Sequence, residues 1–134
     1  MNRKQEIVDF LERDFPQFGF IVEDVGDGSS VVRHEVGEAC LRPGQTVSGP
    51  VLFGIADAAL YIAVLGEIGI VPHAVTTSMN INFLRKPASD RDIIGKCQLL
   101  KLGRRLAVGE VSLYAEGDPE PVSHAVGTYS IPAH

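Results

Sequence analysis

The sequence predicts an α+β fold in which one long apolar helix packs against an antiparallel sheet. Three observations lead there. From Pro50 to Gly66 the chain is apolar, rich in Ala and Leu and without alternation over about 17 residues, too long for an ordinary strand. From Ala74 to Ile131, four segments with strand texture are separated by turn-forming residues. Ahead of the apolar run stand one short helix pattern and two short strand candidates. The 134 residues suit one compact domain spanning 1–134.

Each element has its own signal. Arg3 to Arg13 carries Ile7, Val8, Phe10 and Leu11 at helical spacing, and Pro16 ends it. Phe20-Ile21-Val22 reads as a short strand, "GDGSS" as a turn and Val31 to Val36 as a second strand. "EACLRPGQ" reads as an irregular connection. The long helix starts with Ser48 or Gly49 as cap and Pro50 at the first helical position, where no N–H is needed; Gly66 and Gly69 mark its end. "AVTTSMNINFL" alternates, with Val75, Thr77, Met79, Ile81 and Phe83 on one side and Thr76, Ser78, Asn80 and Asn82 on the other. Ile93–Leu102, Leu106–Ala115 and Val122–Ile131 follow as strands joined by hairpin-like turns.

Charge and composition narrow the function classes. A net charge of −5 without a long Lys/Arg run argues against nucleic acid as a partner. Two small basic pairs, Arg85-Lys86 and Arg104-Arg105, suit a few phosphates or plain solvated surface. Cys40 and Cys97 make neither a disulfide framework nor a CxxC spacing. The charged N-terminus lacks the apolar core of a signal peptide, and no uninterrupted apolar stretch reaches membrane-span length. The expectation is a cytoplasmic protein, with no membrane partner.

One residue interrupts the apolar helix: Asp57 is the lone charge between Pro50 and Gly66. Its helical neighbours are Gly54, Tyr61 and Val64, so its face is no solvated stripe. Leu52, Ala56, Ala59 and Ala63 form the opposite side, small and apolar as a sheet contact requires. The expectation is that a second subunit covers the Asp57 face, giving a dimer or tetramer. A buried carboxylate costs on the order of several kcal/mol unless it is bonded or paired. Asp57 therefore reads either as a structural group bonded to backbone or Tyr61, or as a catalytic base or nucleophile in a cleft. The helix N-terminus near Gly49 presents N–H groups without intrahelical acceptors and partial positive charge. A carbonyl oxygen that gains negative charge would be stabilised there, which is acyl-transfer chemistry.

"SGPVLFGIADAALYIA", "TTSMNINFLRKP", "KLGRRLAVGEVSLY" and "AVGTYSIP", taken in order, resemble the hotdog-fold acyl-CoA thioesterases of the phenylacetic-acid-degradation (PaaI-like) type. The resemblance runs from about Val47 to Pro132. The family's central segment reads roughly HGGxxFxLAD; this chain answers with Ser48, Gly49, Pro50, Phe53, Ile55, Ala56 and Asp57. The resemblance implies a hotdog fold, a long central helix wrapped by an antiparallel sheet, paired into dimers with sites between subunits. It implies that Asp57 acts as general base or nucleophile on a thioester and that the Gly49 N–H polarises its carbonyl. Ser48 replaces the family's His, and Pro50 replaces its second Gly and removes an N–H. No metal and no separate cofactor is implied, coenzyme A being part of the substrate.

Candidate substrate contacts are Ser48, Pro50, Gly54, Tyr61, Thr77 and Asn82, with Arg85, Lys86, Arg104 and Arg105 for phosphates. Thr76 and Thr77 are both candidates to reach the cleft from the partner subunit, and the sequence does not choose between them. His34 and His124 read as structural or surface groups. His73, just after the helix, is the one candidate for a dehydratase or isomerase, which would pair a His with an acidic residue. A non-catalytic acyl-binding module on the same fold is the rival from another class. The lack of GxSxG leaves a serine hydrolase without its nucleophile elbow.

Overall fold

The computed structural model describes residues 3–35, 41–42, 46–87 and 90–132. Helix α1 (Arg3–Asp14) leads through a 3-10 turn (Pro16–Phe18) into strands β1 (Ile21–Gly26) and β2 (Ser29–His34). Two short strands, β3 (Leu41–Arg42) and β4 (Thr46–Val47), precede α2 (Gly49–Ile68). Then come β5 (Val75–Phe83), β6 (Ile93–Leu102), β7 (Leu106–Ala115) and β8 (Ser123–Ser130). The last three match the sequence expectation closely. The stretch expected to be irregular contains a paired ladder, with Leu41 opposite Val47 and Arg42 opposite Thr46. Val36 and Cys40 lie outside the described residues.

Six strands form one antiparallel sheet in the order β1-β2-β6-β7-β8-β5. The hairpin expectation holds for β6–β7 and β7–β8 but fails for β5–β6. Strand β5 pairs with β8 and lies at the sheet edge, because β6 takes β2 as its second neighbour. Strand β7 shows why its pattern was readable: every second residue, Ala107 to Ala115, is buried beneath the helix.

Helix α2 crosses the buried face of this sheet. Leu52, Ile55, Ala56 and all residues from Ala58 to Leu65 are buried. Their burial accounts for the hydropathy of a helix that is long and apolar enough, by length and composition, to cross a membrane. The helix sits close because Gly109 and Gly127, paired on β7 and β8, offer no side chain beneath it. A Cβ at either would meet a Leu60 methyl at 2.7 or 2.8 Å. Ser30 Oγ donates to the Ala59 carbonyl at 2.6 Å and so satisfies a buried hydroxyl at the same interface.

Gly66 does not end the helix, as the sequence suggested; α2 continues to Ile68, and Gly69 closes it with its N–H on the Leu65 carbonyl. Gly66 is needed for packing, since a Cβ there would stand 2.5 Å from Val25 Cγ2 on β1. Gly to Ala inside a helix normally gains about 1 kcal/mol. At Gly66 we expect the reverse. Overpacking against a stiff β-branched side chain costs about 1–3 kcal/mol, so Gly66→Ala should lower the denaturant midpoint. An unchanged or raised midpoint would show that β1 gives way at this contact.

The Asp57 face of α2 corrects a second expectation. Tyr61 and Val64 were expected to need a partner subunit, yet both are buried within this chain. The cover is the chain's own N-terminal segment. Ile7, Phe10 and Leu11 of α1 join the core. Phe15 meets Tyr61 edge-on with ring centroids 6.5 Å apart, and Tyr61 stacks on Tyr129 at 5.9 Å. Of that face, Gly54 and Asp57 remain partly exposed.

Candidate active site

Asp57 is fixed by two hydroxyls. Thr76 Oγ1 donates to Asp57 Oδ1, and the Tyr129 hydroxyl lies 3.1 Å from the same oxygen and 3.3 Å from the Asp57 backbone carbonyl. Both partners thus gather on one carboxylate oxygen. Oδ2 has no hydrogen-bond partner among the described residues. Burial first, and the Asp57 carboxylate second, push the Tyr129 hydroxyl up from its ordinary value, so it remains a donor at working pH. Tyr61, which the sequence offered as a bonding partner, instead stacks its ring on Tyr129. Tyr129 itself was missed. Its signal was available: it is a tyrosine on the buried parity of the last strand, and a buried tyrosine needs a partner for its O–H.

Thr76 was expected to reach the cleft from the partner subunit, but it bonds Asp57 of its own chain, and a β-bulge explains how. Thr76 pairs with Tyr129 and Ser78 with Thr128, leaving Thr77 as the extra residue. The bulge switches the alternation, so Thr76 shares the inward face with Met79 and Ile81. Uninterrupted alternation had put Thr76 on the opposite side. Thr77 is exposed and donates to the Thr128 carbonyl at 3.3 Å. Asn82 is exposed at the far end of β5, opposite His124. Neither is among the residues around Asp57.

The helix N-terminus is equally specific. Ser48 caps it, with φ −71° and ψ 154°, and its Oγ accepts from the Val51 N–H at 3.4 Å. The Leu52 N–H donates to the Ser48 carbonyl at 3.1 Å. Pro50, exposed, has no N–H to offer. The Gly49 N–H is therefore the one first-turn donor without an acceptor among the described residues. Gly49 lies against the ring of Phe83 at the C-terminal end of β5: a Cβ on Gly49 would be 3.4 Å from Phe83 Cζ. Asp57 is bonded at the opposite end of that strand. Eight residues of helix separate Gly49 from Asp57, about 12 Å at 1.5 Å per residue.

A cavity of about 700 Å³ opens beside Asp57. Phe10, Phe15, Phe18 and Phe20 line it from the N-terminal segment, Gly54, Ala58 and Tyr61 from α2, and Ala74 and Thr76 from the approach to β5 and its start. Its walls are mostly apolar, with Asp14 and Gln17 at the N-terminal segment and Asp57, Thr76 and Tyr129 as the polar groups among them.

The cations separate into two sites. Arg85 is held by Asp118 at 2.6 Å and by Glu120, which corrects its expected availability for phosphates. Lys86 is exposed next to it. Arg104 and Arg105 are exposed in the β6–β7 turn and make no ion pair among the described residues. That turn precedes Leu106, which pairs with Ser130, itself opposite Val75, so it belongs to the Asp57 end of the sheet. His73 is exposed in the turn before β5 and is not a partner of Asp57. His124 is 3.6 Å from Glu110. Cys97 is buried on β6, and burial pushes its thiol up to about 12, which removes it as a nucleophile at neutral pH.

Comparison with known proteins agrees with this architecture. The family model of the thioesterase superfamily matches residues 44–122. A solved structure from a Silicibacter species, named provisionally as a thioesterase, superposes with a TM-score of 0.89 at 45% identity, over 97% of this chain and 92% of that one. A mutant of the phenylacetic acid degradation protein PaaI of Thermus thermophilus gives 0.75 at 25% identity, over 92% and 99%. A Thermoplasma acidophilum protein named provisionally as an esterase is 26% identical over 90% of this chain and 94% of its own length. With a long helix on a six-stranded antiparallel sheet, and with these matches, the chain belongs to the thioesterase superfamily and has the hotdog fold of its PaaI-like members.

Proposed function

We propose that the protein hydrolyses an acyl-CoA or similar thioester, with Asp57 as general base or nucleophile and the Gly49 N–H as oxyanion donor. The observation that carries the reading is the Asp57 carboxylate, tethered through Oδ1 by Thr76 and Tyr129 at the wall of a mostly apolar cavity. In the base form, Asp57 takes a proton from water as its oxygen bonds to the carbonyl carbon. The C–S bond then breaks and the thiolate leaves, recovering the proton from Asp57. In the nucleophile form, an Asp57 oxygen bonds to that carbon, the C–S bond breaks and the thiolate leaves. Water then hydrolyses the resulting anhydride to the free acid and the Asp57 carboxylate, its proton going to the thiolate. In both, negative charge on the carbonyl oxygen needs a donor.

Gly49 and Asp57 of one chain are about 12 Å apart along the helix, too far to act on one carbonyl. A homodimer resolves this. Strand β5 is an edge, nine residues long, without a charge or proline, and with Val75 and Phe83 each more than half exposed. Edges left this way invite pairing. Antiparallel pairing of two β5 strands about a two-fold axis near Met79–Asn80 would bring Thr76 of one copy beside the partner's Phe83. The partner's Gly49, which lies on that phenylalanine, would then face Asp57. The exposed carbonyl and N–H row of β5 supports this arrangement, and light scattering should give a dimer or a multiple of it. A monomer at micromolar concentration would contradict it.

Arg104 and Arg105 suit the phosphates of coenzyme A, being exposed cations at the Asp57 end of an acidic protein. Replacing both with alanine should raise KM for an acyl-CoA with kcat nearly unchanged. The effect should shrink with salt and for an acyl thioester lacking the nucleotide. Equal losses on both substrates would indicate folding damage, and no loss would remove the pair from the site. The hydrolysis reading itself is tested with a panel of acyl-CoA substrates and a thiol-detecting dye. Turnover supports it, and binding of acyl groups without turnover would favour an acyl-binding module.

A further inference from the structure

The geometry points to Gly54 as the residue that sets acyl size, holding open a pocket for bulky apolar acyl groups on the order of eight to twelve carbons. The inference rests on the hydrolytic reading for its kinetic test, and it stands on the structure of one helix. Glycine in a helix interior is unfavourable by about 1 kcal/mol against alanine and needs a reason. At Gly66 the reason is Val25, 2.5 Å from where a Cβ would stand. At Gly54 nothing of the kind exists. A Cβ there would meet only Phe20 Cζ, at an ordinary 3.9 Å. The fold therefore tolerates a methyl at Gly54 and has none.

What Gly54 does border is the cavity. It lies one helical turn before Asp57 on the same face, and both line the 700 Å³ space. Across from it stand Phe20, Phe18 and Phe15, whose rings contact edge-on in sequence: Phe15 to Phe18 at 5.6 Å and Phe18 to Phe20 at 5.3 Å. Any side chain at position 54 would extend from the helix towards this wall and fill the space between. The wall belongs to the chain's own N-terminal segment, so the acyl group is received by the same copy that supplies Asp57. Cavities of roughly 300–1,000 Å³ accept ligands of drug size, and an acetyl or propionyl group would leave most of this one empty.

The test compares decanoyl-CoA with propionyl-CoA. For the wild type, kcat/KM should favour decanoyl-CoA. Gly54→Leu should lower the decanoyl-to-propionyl ratio at least about tenfold, in the range that lost apolar contacts give in a pocket. Gly54→Ala should lower the ratio less while raising Tm, which guards against misfolding as the cause. An unchanged ratio in both variants would overturn the proposal. A second measurement separates this inference from hydrolysis. Decanoate is titrated by calorimetry into Asp57→Asn protein with and without Gly54→Leu. Binding that Gly54→Leu weakens at least about tenfold supports the pocket even if the wild type cleaves no thioester. If decanoate does not bind, or binds equally to both, the pocket assignment falls, whatever the substrate panel shows of hydrolysis.

Discussion

Asp57→Asn should lower kcat by at least about a hundredfold, the usual loss of a general base and less than the loss of a nucleophile. The substitution is nearly isosteric. Its amide oxygen can still accept from Thr76 and Tyr129, which both bond Oδ1. The structure therefore gives no reason for a loss of folding, and an unchanged near-UV circular dichroism spectrum with lost turnover is the expected pair of results. On the proposed reading, Thr76 and Tyr129 would act through the carboxylate they bond, as positioning residues. Tyr129→Phe should lower activity by less than Asp57→Asn and should move kcat more than KM. Full thioesterase rate in Asp57→Asn would end the assignment of Asp57 as base or nucleophile.

Gly49→Pro should lower kcat by about two to three orders of magnitude, the cost of removing an oxyanion donor. It is a substitution of one N–H. Gly49 has helical geometry at the first position of α2, where proline is well accepted, and the preceding Ser48 is extended, as a residue before proline prefers. The added ring atoms approach Phe83, which is half exposed and able to shift. Gly49→Ala keeps the N–H and should retain far more activity than Gly49→Pro. Equal losses in the two would mean that steric disturbance at Phe83, and not the donor, limits the rate.

Much of this was legible in the sequence. The helix showed itself through composition and length, and Asp57 showed itself as the lone charge between Pro50 and Gly66. Strand β7 was bounded correctly because burial on one face of a sheet imposes strict alternation; β6, buried at three successive residues from Ile93 to Gly95, was bounded by the turn residues on either side. What escaped depended on contacts distant in sequence. The bulge at Thr77 reverses the parity of Thr76, and a reversal of that kind leaves alternation intact on each side of it. The neighbour of β5 is β8, a choice made by which strands fill the sheet and not by the turn that follows β5. The cover over Tyr61 comes from Phe15, far earlier in the chain, so a face that looked open was closed. Arg85 looked available only because Asp118 and Glu120, its partners, lie on another turn. The glycines of α2 looked alike as letters, and only the neighbours of Gly54 and Gly66 distinguish an opening from a tight contact.

The central claim is that one site takes Asp57 from one chain and Gly49 from its partner. Complementation tests it directly. Differently tagged Asp57→Asn and Gly49→Pro chains are co-expressed, and the mixed dimer is purified through both tags. In a shared site, one of the two sites carries both defects and the other carries neither. The mixed dimer should then show about half the wild-type kcat, far above either parent, with wild-type KM. If each chain held a complete site, every site would carry one defect, and the mixed dimer would show no more than the mean of the two parents.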